Sequence, residues 1–198
     1  MNTPFHIPAI ILSYLIGAIP FGLLFTRWFS NVDVRTVGSG NIGATNVLRA
    51  AGKKAALLTL LADCLKGLLP VLAIRFLLND DFTSLLAASA ALLGHTFPVY
   101  LRFKGGKGVA TSFGVALALT PMAALLSLIT WAVAAFIWRY SSLASLTAFA
   151  LFPLYTFLLY PAQDPRLLSL FLFGVIYAKH RDNVKRLIAG TESKIGKK

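Results

Sequence analysis

Arg102 to Thr111 reads RFKGGKGVAT and lies between two apolar runs. Arg102, Lys104 and Lys107 alternate with Gly105, Gly106 and Gly108, and an apolar helical pattern resumes at Val109. Glycine leaves backbone N–H groups uncovered, and a helix starting there points the positive end of its dipole at the same place. Such a loop attracts anions, and Lys104 and Lys107 add full charges. It is not a Walker A loop, because Gly108 rather than Ser or Thr follows Lys107 and no strand precedes it. Taken alone, a basic loop that only fixes membrane orientation is the simpler reading.

Two further segments carry polar side chains that orientation does not require. Residues 38–54 read GSGNIGATNVLRAAGKK, with Ser39 and Asn41 among glycines and a helical stretch from Ala44 to Ala50. The i, i+3 spacing puts Asn46 and Arg49 on one helix face, as for a second phosphate site. An ordinary capped loop with a headgroup arginine fits these residues equally well. Residues 179–192 read KHRDNVKRLIAGTE, and on a helix His180 and Asn183 share a face with Arg181 and Lys185 nearby. A basic tail of this kind is also an ordinary membrane anchor.

The elements that position these segments are membrane helices. The chain is 57% hydrophobic and 13% charged, against roughly 25% charged for a soluble domain. A net charge of +12 lies between apolar runs rather than on one soluble face, which argues against nucleic-acid binding. No Lys or Arg precedes the first apolar run, so that run is expected to be a retained span rather than a cleaved signal. A span takes about 20 mostly apolar residues. The candidates are Pro8 to Phe29, Ala55 to Leu78, Phe82 to Leu101, Val109 to Thr120, Pro121 to Trp138, Leu143 to Tyr160 and Arg166 to Ala178. Val109 to Trp138 as one helix would run about 45 Å, too long for a bilayer core of about 30 Å. The break is expected at Thr120 and Pro121. Gly17, Pro20, Gly22 and Pro70 are expected at kinks or close helix contacts, and Cys64 is the lone cysteine.

Charge sets the orientation. With seven spans and the N-terminus outside, Arg49, Lys53, Lys54, Arg102, Lys104, Lys107, Arg139, Arg181, Lys185, Lys197 and Lys198 are among the inner cations. The outer loops hold Asp80, Asp81 and Asp164 with Arg166. The fold class is therefore all-α integral membrane, one polytopic domain over residues 1–198 with a cytoplasmic C-terminus. Within the second span, Asp63 and Lys66 are three apart and are expected to pair. Arg75 is expected to snorkel outward, and His95 to bond a carbonyl freed by Pro98.

Segments 38–54, 94–111 and 179–192 all fall on the inner side of this arrangement, which favours an inner-surface anion site built from Ser39, Asn41, Asn46, Arg49, Lys104, Lys107, His180 and Asn183. No cluster of acids or histidines suits a catalytic metal, and no His-x-x-x-x-Asp is present. The same phosphate-binding groups would serve a small organic-phosphate transporter or channel. Against that, polarity is confined to one side and no matched pair of interrupted helices occurs.

SGNIGATN (Ser39 to Asn46), GHTFPVYLRFKGGKGVAT (Gly94 to Thr111) and KHRDNVKRLIAGTE (Lys179 to Glu192) closely resemble the three cytoplasmic motifs of the bacterial acyl-phosphate:glycerol-3-phosphate acyltransferases, the PlsY family. The resemblance covers essentially the whole chain. It implies a seven-helix enzyme of the bacterial inner membrane, without metal or cofactor, that makes lysophosphatidate from acyl phosphate and glycerol 3-phosphate. It further implies that Ser39, Arg49, Lys107, His180 and Asn183 line the glycerol-phosphate pocket, with Lys107, His180 and Ser39 closest to the chemistry. Gly105, Gly106, Gly108, Val109 and Thr111 would then hold the acyl phosphate. The base is left open between His180 and a substrate phosphate oxygen. Ser39 lacks an evident His-Asp partner set and is read as a ligand or orienter.

Overall fold

Where the helices break decides where the polar segments lie. The computed structural model describes residues 4–196, and every regular element in them is helical. Lys197 and Lys198, counted above among the inner cations, lie outside the described residues. The chain divides into two compact units between Leu119 and Thr120.

The first unit opens with α1 (His6–Ala18) and α2 (Phe21–Ser30), separated at extended Ile19 and at Pro20, whose ring and missing N–H interrupt a helix. After a 3₁₀ turn at Val34–Thr36 comes α3 (Ala44–Leu78), which leaves helical geometry at Gly52, where φ is 81° and ψ −175°. That region belongs to glycine. Gly52 thus separates a short helix over 44–51 from the span itself, as the sequence pattern suggests, whereas Pro70 is accommodated within helical geometry. Then α4 (Asp81–Thr96) begins with the Asp80 carboxylate accepting the Thr83 N–H at 3.0 Å. It stops at Thr96, short of the expected Leu101, because Pro98 bars the preceding Phe97 from helical dihedrals. Val99–Leu101 is a 3₁₀ turn, and α5 runs Val109–Leu119. A Cβ on Gly17 would run into the Ala91 backbone, one on Gly94 into Tyr14 and Ala18, one on Gly67 into Thr111, and one on Gly114 into Cys64. Small residues therefore bring α1 onto α4 and α3 onto α5 at backbone contact. Arg75 is exposed, and its guanidinium donates to the Ala118 carbonyl at 2.9 Å, near the end of α5.

In the second unit, α6 (Pro121–Trp138) starts at the expected proline, with Thr120 at φ −136° and ψ 60°. It is followed by α7 (Ser141–Leu159), α8 (Gln163–Lys179) and α9 (Arg181–Ile188). Trp131 Nε1 donates to Ser145 Oγ at 3.0 Å, and Thr130 and Tyr155 share a 2.9 Å hydrogen bond. Phe149 and Phe152 are completely buried.

Among the described residues, five stretches are long and apolar enough to cross a membrane: His6–Ser30, Ala44–Leu78, Asp81–Leu101, Pro121–Trp138 and Ser141–Leu159. Val109–Leu119 is apolar but shorter, with 11 residues, and Gln163–Lys179 has 17. Bulky apolar side chains such as Phe76, Phe136 and Leu158 stand at least 74% exposed, which only a hydrocarbon surround makes favourable. This is an integral membrane protein.

Candidate functional site

The loop before α3 is organised by one buried amide. The two hydrogens of Asn46 Nδ2 are shared among the carbonyls of Val34, Val37 and Asn41, each at 2.9 Å, and its Oδ1 accepts the Ser39 N–H at 3.2 Å. Gly38 and Gly40 turn with positive φ around it. Asn46 is 1% exposed, so it does not share an outward face with Arg49, and its amide is spent on loop backbone. Ser39 is exposed and Arg49 half-buried. Asn41 accepts the Gly43 N–H on its Oδ1 at 2.9 Å, which sets the entry to α3. Lower in the loop, Asp33 pairs with Arg35 at 2.6 Å, and the hydrogen bonds from Arg35 hold the Asp33 carboxyl down at about 2.

Between α4 and α5 the chain must fold back along the end of α4. Arg102 and Phe103 take positive φ, and the Phe103 N–H returns to the Pro98 carbonyl at 2.9 Å. The Gly106 N–H then donates to the His95 carbonyl at 3.1 Å. The uncovered amides expected across 105–108 are thus fewer by one, since the fold itself uses Gly106. A Cβ on Gly106 would overlap the His95 imidazole, and Gly108, at φ 83°, lies against the Leu92 side chain. Lys107 is half-buried between these two glycines and Lys104 is exposed. Val109, Ala110 and Thr111 occupy the first turn of α5, where N–H groups have no earlier carbonyl to bond. Thr111 is fully buried against Gly67, and its hydroxyl has no hydrogen-bond partner. That side chain belongs to the α3–α5 contact, and its amide is the part of it that belongs to the helix end. His95 is 4% exposed at the foot of this loop.

In the second unit, helical hydrogen bonding is interrupted at His180, at φ −103° and ψ 5° between α8 and α9. His180 and Asn183 are both buried, 2% and 4% exposed. His180 Nδ1 lies 2.8 Å from the Ile176 carbonyl. A carbonyl only accepts, so Nδ1 carries the proton and Nε2 is the acceptor of the neutral ring. Asn183 Nδ2 donates to Glu192 at 2.7 Å, which turns Oδ1 the other way. Glu192 also accepts from Ser142 Oγ and Arg186 Nε, each at 2.7 Å. Burial alone raises the Glu192 carboxyl, but the hydrogen bonds from Ser142, Asn183 and Arg186 outweigh it and hold it below its usual range. Glu192 was the residue missed from sequence. Its signal was an acid placed after the cations of a basic helix, at a glycine-led turn.

A family model described as glycerol-3-phosphate acyltransferase matches residues 7–190. The chain is 50% identical over 190 residues to a glycerol-3-phosphate acyltransferase of Bartonella henselae, covering 94% of this chain and 90% of that one. It is likewise 50% identical over 190 residues to one of Agrobacterium fabrum, covering 96% and 92%. Among solved structures it is similar to PlsY (YgiH), described as an integral membrane glycerol 3-phosphate acyltransferase in its glycerol 3-phosphate form. The TM-score is 0.90 at 40% identity, covering 96% of each chain. The lysophosphatidic acid form gives 0.87 at 38% identity, covering 96% of this chain and 95% of that one.

Proposed function

The chain belongs to the glycerol-3-phosphate acyltransferase family, and from that premise we propose that this acyltransferase moves a fatty acyl group from acyl phosphate to the 1-hydroxyl of sn-glycerol 3-phosphate. The products are lysophosphatidate and inorganic phosphate. The observation that carries the reading is the half-buried Lys107, held between two glycines that press on α4 and followed at once by the α5 N-terminus. Positive charge and the amides of a helix N-terminus converge there.

Acyl phosphate is a mixed anhydride, so the barrier is mainly one of placement and developing charge. The glycerol hydroxyl oxygen bonds to the acyl carbon, and the carbon–oxygen bond to phosphate breaks. The hydroxyl proton goes to a phosphate oxygen or to His180 Nε2. Lys107 and the amides of Gly105, Gly108, Val109 and Thr111 stabilise the oxyanion and departing phosphate, with Lys104 drawing anions toward the loop. Ser39, Arg49, His180 and the Asn183 carbonyl oxygen bind the acceptor, and Asn41 and Asn46 keep the Ser39 loop in shape. The donor tail stays in the bilayer, since each CH₂ removed from hydrocarbon costs about 0.8 kcal/mol. Val109–Leu119 and Gln163–Lys179 complete seven spans, the N-terminus lies outside, and the reaction faces the cytoplasm at the bacterial inner membrane.

Purified protein in detergent, given acyl phosphate and glycerol 3-phosphate with EDTA present, is expected to release lysophosphatidate and phosphate in equal amounts. Product only from acyl thioesters, or only after a divalent metal is restored, would refute the donor or the metal-free route respectively.

A further inference from the structure

The reaction above leaves unused a line of buried polar groups in the first unit. Asp63 and Lys66 in α3 form a 2.6 Å ion pair, each side chain no more than 4% exposed. A charge pair in that position is costly to maintain if packing is all it supplies. Lys66 also donates to the Ile19 carbonyl at 2.8 Å, at the break between α1 and α2. On the other side, Asp63 Oδ1 lies 3.8 Å from Nδ1 of His95, in the last turn of α4. His95 then meets the glycine loop twice. Its carbonyl takes the Gly106 N–H at 3.1 Å, and its Nε2 edge fills the space that a Cβ on Gly106 would need.

A pair that only joined helices would need no imidazole beyond it, and an imidazole that only filled space would need no carboxylate at its back edge. At 3.8 Å the contact is longer than a hydrogen bond, so the carboxylate acts on the ring by charge, favouring the orientation that keeps Nδ1 toward Asp63. We propose that Asp63, held by Lys66, orients the His95 ring, and that this ring sets the Gly105–Gly106 backbone, making Asp63 and His95 positioning residues for acyl transfer. Neither touches substrate. With the ring in place the loop cannot slide toward α4, so the amides and Lys107 meet the acyl phosphate at a constant distance. The inference rests on the role given above to the glycine loop.

The test compares kcat and KM of the wild type with His95→Ala, His95→Gln, Asp63→Asn, Gly106→Ala and the His95→Ala/Gly106→Ala pair, all purified in the same detergent. A loop displaced by about 1 Å loses on the order of a hundredfold. His95→Ala should therefore lower kcat about a hundredfold while the glycerol 3-phosphate KM stays within about threefold. His95→Gln carries its amide to about the position of Nε2, against Gly106, and should recover about tenfold of the loss, and Asp63→Asn should fall between the two. In the double variant the new methyl enters the space the ring vacated, so it should be no less active than Gly106→Ala alone. Wild-type kcat in His95→Ala, equal kcat in the Ala and Gln variants, or a loss confined to KM would overturn the proposal. Should His95→Ala not purify as a monodisperse protein, wild-type kcat in both His95→Gln and Asp63→Asn overturns it. A wild type that makes no lysophosphatidate overturns the reaction itself and the positioning role with it. An active wild type with unaffected variants overturns the positioning role alone.

Discussion

Replacing Asn46 by Ala should disable the enzyme without removing any group that touches substrate. Four backbone groups lose the Asn46 amide: the Asn41 carbonyl and the Ser39 N–H, and the carbonyls of Val34 and Val37, which keep only the Val37 N–H at 3.4 Å and the Gly40 N–H at 3.0 Å respectively. The bond to Val34 is buried, and leaving that carbonyl with only the long 3.4 Å bond from the Val37 N–H costs about 2 kcal/mol. The other three are partly buried and regain water, so together they add about 1 kcal/mol. The sum of about 3 kcal/mol changes the ratio of ordered to open loop on the order of a hundredfold. Since Ser39 lies in that loop and Arg49 one turn beyond it, kcat/KM should fall by the same order. Asn46→Asp should be at least as damaging, because an acceptor-only carboxylate would face three carbonyls. The assay is kcat/KM for glycerol 3-phosphate alongside amide hydrogen exchange over residues 37–43. Unchanged exchange in Asn46→Ala with a raised KM would refute the reasoning and make Asn46 a direct ligand.

His180→Ala should raise the glycerol 3-phosphate KM with kcat lowered less than about tenfold if a substrate phosphate takes the proton, as initial rates will show; a loss of about a thousandfold in kcat would identify His180 as the base. Gly52→Ala forces a Cβ into φ 81°, and should lower stability by about 1–3 kcal/mol, read as a drop in Tm in detergent. Glu192→Gln weakens the bonds to Ser142, Asn183 and Arg186. Because folding depresses the Glu192 carboxyl below its unfolded value, its stabilisation is fully present above about pH 5 and fades as pH falls through the folded value. The Tm gap between wild type and variant should therefore be largest near neutrality and shrink as pH falls below about 4. A gap that widens on acidification would contradict this.

What was legible in the sequence is what periodicity and chain-breaking residues encode. The Thr120–Pro121 break, the short helix ahead of the second span and the Asp63–Lys66 pair all follow from residue spacing, and all appear in the structure. Membrane character follows from composition, and five of the apolar runs are long enough to cross. Spacing says that two residues share a face, but not which way the face turns. The i, i+3 spacing puts Asn46 and Arg49 on one face, yet the turns at Gly38 and Gly40 wrap the chain over Asn46 and leave it inside. Likewise the partners of loop amides depend on tertiary folding: nothing in GHTFPVYLRFKGG reveals that Gly106 donates to His95. Glu192 escaped notice because three donors from different parts of the second unit reach it only after the chain turns at Gly190.

Asn46 and Glu192 share a logic that explains why these segments are so polar. A catalyst acting at a membrane surface has little soluble structure with which to brace its loops. Each loop instead receives one side chain with several hydrogen-bonding positions, an amide for backbone carbonyls in one unit and a carboxylate for side-chain donors in the other. Such a residue looks like a ligand in sequence, being polar and close to the motif. The distinction lies in where its donors and acceptors are spent. Asn46 spends its amide on loop carbonyls, whereas Asn183 gives Nδ2 to Glu192 and turns Oδ1 away. The two asparagines should therefore fail differently: Asn183→Asp should weaken acceptor binding while leaving the 37–43 loop protected, and Asn46→Asp should open that loop before binding is measured at all.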